Sequence, residues 1–305
     1  MTLRIAAFLT IAIPALGCLA GDPGEHPAVH SVTAVLHEPA AVYADTTGND
    51  TRGRFRAAMI FAEAEGLAGL PLGEIMIRLG ERYLGVPYVA GPLDGFGKEV
   101  VVARLDAFDC FTYIEAILAM ARGVAAGDTT FAGYVQRTEE QRYRQGTAGT
   151  YCSRLHYFTE WVDANARRGL VSDVTEEAGG IPFSKDYGFM TANRGAYPAL
   201  KDDSEFQCIE NVEADLNARI RLFFIPQDEI ASAYGRLQPG DLVATVTNIE
   251  GLDVTHTGLV YINDDGSVGL LHASTSGGVK VSPSLGDYVM GVRAQVGILV
   301  ARANQ

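Results

Sequence analysis

The segment from Cys110 to Arg122 reads Cys-Phe-Thr-Tyr-Ile-Glu-Ala-Ile-Leu-Ala-Met-Ala-Arg, and only Glu115 and the terminal Arg122 are charged. A helix of this composition has no polar face to offer water, so it must be buried nearly all round. The chain has 305 residues, 48% of them hydrophobic and 20% charged, enough to build a packed core around such a helix. Disordered, collagenous and polytopic membrane classes are excluded by that composition. A net charge of −13 argues against electrostatic capture of polyanions, so no nucleic-acid partner is expected.

Around this segment the chain changes texture. From Arg54 to Leu84 the apolar pattern is helical, in two pieces separated by Gly69-Leu70-Pro71 and stopped by Gly85-Val86-Pro87. The loop Gly91–Gly97 lacks the Gly-Lys-Ser/Thr of a phosphate loop. A further helix is predicted from Arg154 to Arg168, with Leu155, Phe158, Trp161 and Val162 on one face. Beyond about residue 240 come short β-branched runs separated by turn residues: Leu242–Thr247, Thr257–Ile262, Val268–His272, Val279–Val281 and Val296–Ala301. Helices first and an antiparallel sheet afterwards make an α+β fold.

The N-terminus sets the expected compartment. Arg4 precedes an apolar run, Ile5–Ala20, that is broken by Pro14 and falls short of a comfortable bilayer span. Residues 1–20 read as a signal peptide for export. The run closes on Ala15-Leu16-Gly17-Cys18, which resembles a bacterial lipoprotein processing site. Cys18 would then be the lipidated N-terminus and a membrane anchor; simple cleavage nearby is the alternative. Periplasm or outer membrane of a Gram-negative-type bacterium is the location this implies. Residues 21–50 lack a helical period and suit a tether or an irregular arm. Their histidines, His26, His30 and His37, read as loop surface rather than metal ligands. Residues 51–305 form the expected functional domain.

Chemistry has few places to reside. Asp109 is a plausible N-cap, which puts Cys110 in the first turn of the buried helix. Backbone N–H groups and the helix dipole there favour a thiolate, as a nucleophile needs. A small buried apolar residue is the competing reading. His256 opens the strand Thr257–Ile262 and His272 closes Val268–His272, with Asn263-Asp264-Asp265-Gly266 between them as a hairpin turn. A three-residue loop with Gly266 left-handed pairs Asn263 with Ser267 and puts both histidines on one face; a two-residue turn sends them to opposite faces. Two histidines on one face can act as a base and its orienter. With His156 they could equally ligate zinc.

Motif order narrows these options. Gly-Asp-Leu-Val (240–243), Val-Thr-His-Thr-Gly-Leu-Val-Tyr (254–261) and Leu-Leu-His-Ala-Ser (270–274) resemble the second half of NlpC-type cell-wall cysteine peptidases, which have a papain-like core. Gly-Val-Pro-Tyr (85–88) and Phe-Asp-Cys-Phe-Thr-Tyr (108–113) are similar to the first half. Ser-Arg-Leu-His-Tyr-Phe-Thr-Glu-Trp (153–161) and Gly-Leu-Asp-Val-Thr-His (251–256) make the chain resemble the N-acetylmuramoyl-L-alanine amidase-like family within that superfamily. The resemblance covers roughly residues 70–300.

It implies Cys110 as nucleophile, His256 as general base and His272 as its orienter. Tyr88 and Asp109 would support the site, with the Cys110 N–H at the oxyanion. The implied reaction is hydrolysis, through a thioester, of the amide between N-acetylmuramic acid and L-alanine in peptidoglycan or muropeptides. No cofactor or metal is implied. The alternatives are a γ-D-glutamyl–diaminopimelate endopeptidase, a zinc hydrolase using His156, His256 and His272, and a non-catalytic cell-wall-binding lipoprotein. Ser153, Arg154, His156 and Tyr157 are expected to line the substrate groove, Arg154 meeting stem-peptide carboxylates; helix cap and packing is the competing reading. Cys152 and Cys208 remain, either as a disulfide or as two buried thiols.

Overall fold

In the computed structural model, which describes residues 51–96 and 98–305, the early helical pattern resolves into α1 (Thr51–Ala64) and α2 (Leu72–Glu81). The expected signal segment, Cys18 and the 21–50 stretch with His26, His30 and His37 lie outside the described residues. The apolar segment becomes α3 (Cys110–Ala125), in which every residue from Thr112 to Ala121 is buried. Glu115 is tolerated there because Arg142 donates to it, Nε at 2.8 Å and Nη2 at 2.7 Å. Arg142 ends α4 (Phe131–Arg142), which lies against α3.

The next helix corrects the sequence reading. α5 spans Phe158–Arg167, so Arg154 does not begin it. Residues 153–155 are extended instead, zipped to the chain after α4: Arg144 N–H donates to Ser153 O and Leu155 N–H to Arg142 O, both at 2.8 Å. Those bonds, with the ion pair of Arg154 to Glu99, hold the segment out of helical geometry.

Then follow β1 (Val171–Asp173), β2 (Ile181–Phe183), α6 (Phe189–Ala192), α7 (Asp203–Arg219), β3 (Leu222–Pro226) and α8 (Ile230–Ala233). The last part gives β4 (Leu242–Thr247), β5 (Val254–Ile262), β6 (Val268–Ser274), β7 (Gly278–Ser282), α9 (Leu285–Met290) and β8 (Gln295–Ala303). All pairings are antiparallel, in the order β2-β3-β8-β4-β5-β6-β7, with β1 also on β8. The molecule is thus α+β. The five runs read from the sequence are β4 to β8; β1, β2 and β3 are additional and lie at the end of the sheet beyond β8.

Side-chain alternation puts a core on each face of the sheet. Leu242, Ala244 and Val246 of β4 enter the larger core with α1 to α5, whereas Val243 enters the one with α8 and α9. A third apolar cluster gathers Tyr157, Met190, Ile209 and Leu216 around α7. Cys152, also in that cluster, is disulfide-bonded to Cys208 with their Cα atoms 6.6 Å apart. Among the described residues, no helix is long and apolar enough to cross a membrane.

Candidate functional site

Two connections bring the chemistry together. The β5–β6 hairpin has the three-residue loop: Gly266 has φ +81° and Asn263 N–H donates to Ser267 O at 2.9 Å. The register runs Ile262 opposite Val268 to Leu259 opposite Leu271, so His256 and His272 share a face. The second connection is the turn after α2. Gly85 N–H donates to Val279 O and Val279 N–H to Val86 O, each at 2.8 Å. Gly278 permits this approach, having φ +72°; a Cβ there would lie 2.2 Å from Val86 O. Tyr88 is thereby set beside Phe108, two residues before Cys110.

Asp109 caps α3 through a reciprocal pair of bonds. Its Oδ1 accepts from Thr112 N at 2.7 Å, and Thr112 Oγ1 accepts from Asp109 N at 3.0 Å. Cys110 follows as the first helical residue, partly buried. Across the cleft, His256 Nε2 and His272 Nδ1 are 2.7 Å apart, and His272 Nε2 is 2.9 Å from Ser282 Oγ. One tautomer completes a relay: His256 Nε2–H donates to His272 Nδ1, and His272 Nε2–H donates to Ser282 Oγ. That tautomer leaves His256 Nδ1 bare, as a proton acceptor. The Tyr288 ring packs on both imidazoles, at 5.3 Å from His256 and 4.8 Å from His272.

Cys110, His256, Tyr88, Asp109, Tyr288, Arg154 and His156 line one cleft of about 600 Å³. This is the size of an ordinary small-molecule site. Its opening comes from the sheet: β5–β6 pairing stops at Leu259–Leu271, whereas β6 and β7 stay paired to Ser274–Gly278. Among the described residues no cluster of three or more His, Cys, Asp or Glu is arranged to hold a metal. His256 and His272 turn their facing nitrogens on each other.

Electrostatics here departs from the expected helix-start thiolate. Burial first, and the Asp109 carboxylate second, push the Cys110 thiol up to about 12; the N–H and hydroxyl of Thr257 pull the other way. Burial holds His256 down at about 3, with His272 adding to it, and His272 at about 4, helped by Lys280. The resting pair is therefore neutral thiol and neutral imidazole. A capping carboxylate and a dry site outweigh the helix dipole.

The four expected groove residues divide. Arg154 and His156 line the cleft; Ser153 and Tyr157 do not. Ser153 Oγ closes its own turn on Thr150 O at 2.8 Å, and Tyr157 Oη donates to Glu213 at 2.7 Å in the α7 cluster. His156 is 9% exposed, and neither ring nitrogen has a hydrogen-bond partner. Burial, then Arg144 and Arg154, keep it neutral. Arg154 meets Glu99 at 2.7 Å and Asp94 at 3.6 Å, with Nη1 left over. Its charge is thus already balanced, which suits Nη1 to a neutral oxygen better than to the free carboxylate expected from the sequence.

Several residues in or beside the cleft escaped sequence reasoning. Asp253 fixes β5 to the start of α5: its Oδ2 accepts from Thr159 N at 2.9 Å and from Thr159 Oγ1 at 3.0 Å. Asp253 and Thr257 stand in the stretch around His256 and could have been singled out by that adjacency. Ser282 lies two residues beyond Lys280, the register partner of His272, and was reachable only with the β6–β7 pairing known. Tyr288, on the six-residue α9, carried no signal.

Residues 78–298 match the family described as AmiA-like, N-acetylmuramoyl-L-alanine amidase-like. No curated protein sequence matches the chain. Among solved structures, an N-acetylmuramoyl-L-alanine amidase from Bacteroides uniformis is 29% identical with a TM-score of 0.72, over 77% of this chain and 99% of that one. A Bacteroides fragilis protein described as a candidate xylanase is 30% identical with a TM-score of 0.66, over 73% of this chain and 98% of that one. A Legionella pneumophila protein at 16% identity shares the fold, with a TM-score of 0.62 over 87% of this chain and 97% of that one.

Proposed function

The chain belongs to the AmiA-like, N-acetylmuramoyl-L-alanine amidase-like family, and from that premise we propose that it is a cysteine amidase. Its substrate in this reading is the amide joining the lactyl group of N-acetylmuramic acid to L-alanine, in peptidoglycan or its fragments. Family membership and the likeness to a Bacteroides uniformis amidase support a cell-wall amidase-like function. The cysteine mechanism, the papain-like NlpC-type kinship, one functional domain over 51–305 and export, with or without lipidation at Cys18, belong to the proposal.

The observation that carries it is the His256–His272–Ser282 chain beside the cleft that His256 and Cys110 line, which in its relay tautomer leaves His256 Nδ1 bare. His256 Nδ1 takes the Cys110 proton as Sγ attacks the amide carbonyl carbon. The oxyanion forms near the Cys110 N–H, at the helix start, with Tyr88 alongside. Imidazolium then protonates the alanine nitrogen, the C–N bond breaks and a thioester remains. Water, deprotonated by His256, attacks the thioester; its carboxylate leaves and the thiol recovers its proton. Because thiol and imidazole begin neutral, deprotonation accompanies attack rather than preceding it.

Arg154 and His156 form the wall that reads the substrate, His156 donating through one nitrogen and accepting at the other. Arg154→Ala should lower kcat/KM several-fold; an unchanged value removes Arg154 from that wall. A glycosidase, as the Bacteroides fragilis name suggests of that protein, is disfavoured here. It needs two carboxylates flanking the scissile bond. The cleft's carboxylates are Asp109, which caps α3, and Asp253, which holds Thr159.

Mass spectrometry of a muropeptide digest tests the reaction, with Cys110→Ala as control. An intact stem peptide with free N-acetylmuramic acid is the expected product. Release of a peptide beginning at diaminopimelate would assign the endopeptidase reaction instead, and binding without turnover a non-catalytic role. Turnover lost to chelator but spared by iodoacetamide would assign zinc chemistry.

A further inference from the structure

Thr257 stands next to His256 in the sequence, yet its groups serve the opposite wall. Along β5, Val260 N–H donates to Asp241 O on the β4 side. Alternation therefore turns the N–H of Thr257, three residues back, toward the β6 side. β5–β6 pairing ends at Leu259, so no ladder partner awaits that N–H. It emerges in the cleft, where α3 packs against β5 and Cys110 sits. Thr257 is 3% exposed, and its Oγ1 has no hydrogen-bond partner. Leaving a buried hydroxyl unpaired is costly unless some state of the molecule uses it.

We propose that Thr257 is a further catalytic residue, whose backbone N–H and hydroxyl both donate to the Cys110 sulfur as it becomes a thiolate. The other side chains facing that sulfur work differently. Asp109 on its own helix and Tyr88 and Tyr288 from neighbouring elements carry no positive charge, and His256 takes the proton. Thr257, and after it the backbone N–H of Cys110 itself, lower the cost of the thiolate without removing its proton, and only Thr257 does so through a side chain. Hydrogen bonds to an ionised acceptor are the strong ones, so the effect belongs to the step in which negative charge appears.

The inference rests on Cys110 as the reactive thiol but needs no knowledge of the substrate. The test is iodoacetamide alkylation of the full chain across pH, read on the Cys110 peptide by mass spectrometry. Thr257→Val keeps the shape and the N–H and removes only the hydroxyl; Thr257→Ser restores the hydroxyl. In Thr257→Val the alkylation midpoint should move up in pH and the rate at fixed pH should fall about ten-fold. Thr257→Ser should stay near wild type. Thermal stability of Thr257→Val should hold or rise, since an unpaired buried hydroxyl is gone. Alkylation curves of Thr257→Val that superimpose on wild type overturn the proposal. So does a slowed Thr257→Val that is destabilised and not matched by recovery in Thr257→Ser. A negative muropeptide digest alongside the alkylation shift would sink the amidase reading and leave Thr257 in place.

Discussion

At the scale of single residues, the site separates what a sequence displays from what only a register delivers. Cys110, His256 and His272 stand in motifs that announce themselves, whereas the hairpin register was one of two that Gly266 allows, and the fold takes the three-residue loop. Ser282 does not announce itself, because it meets His272 only through a third strand. Its Oγ lies 2.9 Å from His272 Nε2, and in the relay tautomer it accepts from that nitrogen while His256 Nδ1 stays free. Ser282→Ala should therefore lower kcat for muropeptide hydrolysis about ten-fold or more at nearly constant KM. An unchanged kcat would mean the relay stops at His272. The helix-start argument for a thiolate was sound as far as it went, but a sequence does not show how dry Cys110 is. Burial holds His256 at about 3. The active form has His256 neutral and is lost as pH falls through that value, not through the 6.5 of a free imidazole. The acid limb of kcat/KM should accordingly fall below pH 5; a midpoint near 6.5 in a pH-rate profile would show that His256 is solvated.

At the scale of elements, the misplaced start of α5 is instructive. Apolar spacing from Leu155 to Val162 is helical, yet the segment up to Leu155 is held extended by Arg142, Arg144 and Glu99. Local period loses wherever long-range partners take up the backbone and the charge. The helix then begins without a side-chain cap of its own. Asp253, 94 positions away, serves as one by accepting from the N–H of Thr159. That bond also fixes the distance between the Arg154–His156 wall and the β5 strand carrying His256. Asp253→Ala should destabilise the fold by about 1–3 kcal/mol in chemical denaturation, because buried donors lose their acceptor. It should also raise KM, since α5 and the wall before it come loose from β5. Loss of stability with KM unchanged would show that the wall is held by its other contacts alone.

At the scale of the whole molecule, α+β order and β4 to β8 were legible because they are β-branched runs set apart by turn residues. The third core and its staple were not. The α7 lobe is built from dispersed residues whose partners are distant in sequence, and four cysteines left the pairing of Cys152 with Cys208 as one of two options. In the fold that bond closes a separation of 56 residues and ties α7 to the turn at Tyr151–Ser153. Arg154 and His156 follow directly. The staple therefore anchors one end of the cleft wall whose other end Asp253 holds. On the chain-entropy account a loop of this length contributes up to about 4 kcal/mol. Cys152→Ala with Cys208→Ala should lose a large part of that in chemical denaturation. The α7 lobe should lose hydrogen-exchange protection before β4 and α3, which lie in the larger core. Catalysis should respond mainly through KM, because the relay on β5, β6 and β7 does not touch the lobe. If the double variant instead changed kcat at constant KM, the lobe would be coupled to the thiol and not to the substrate wall.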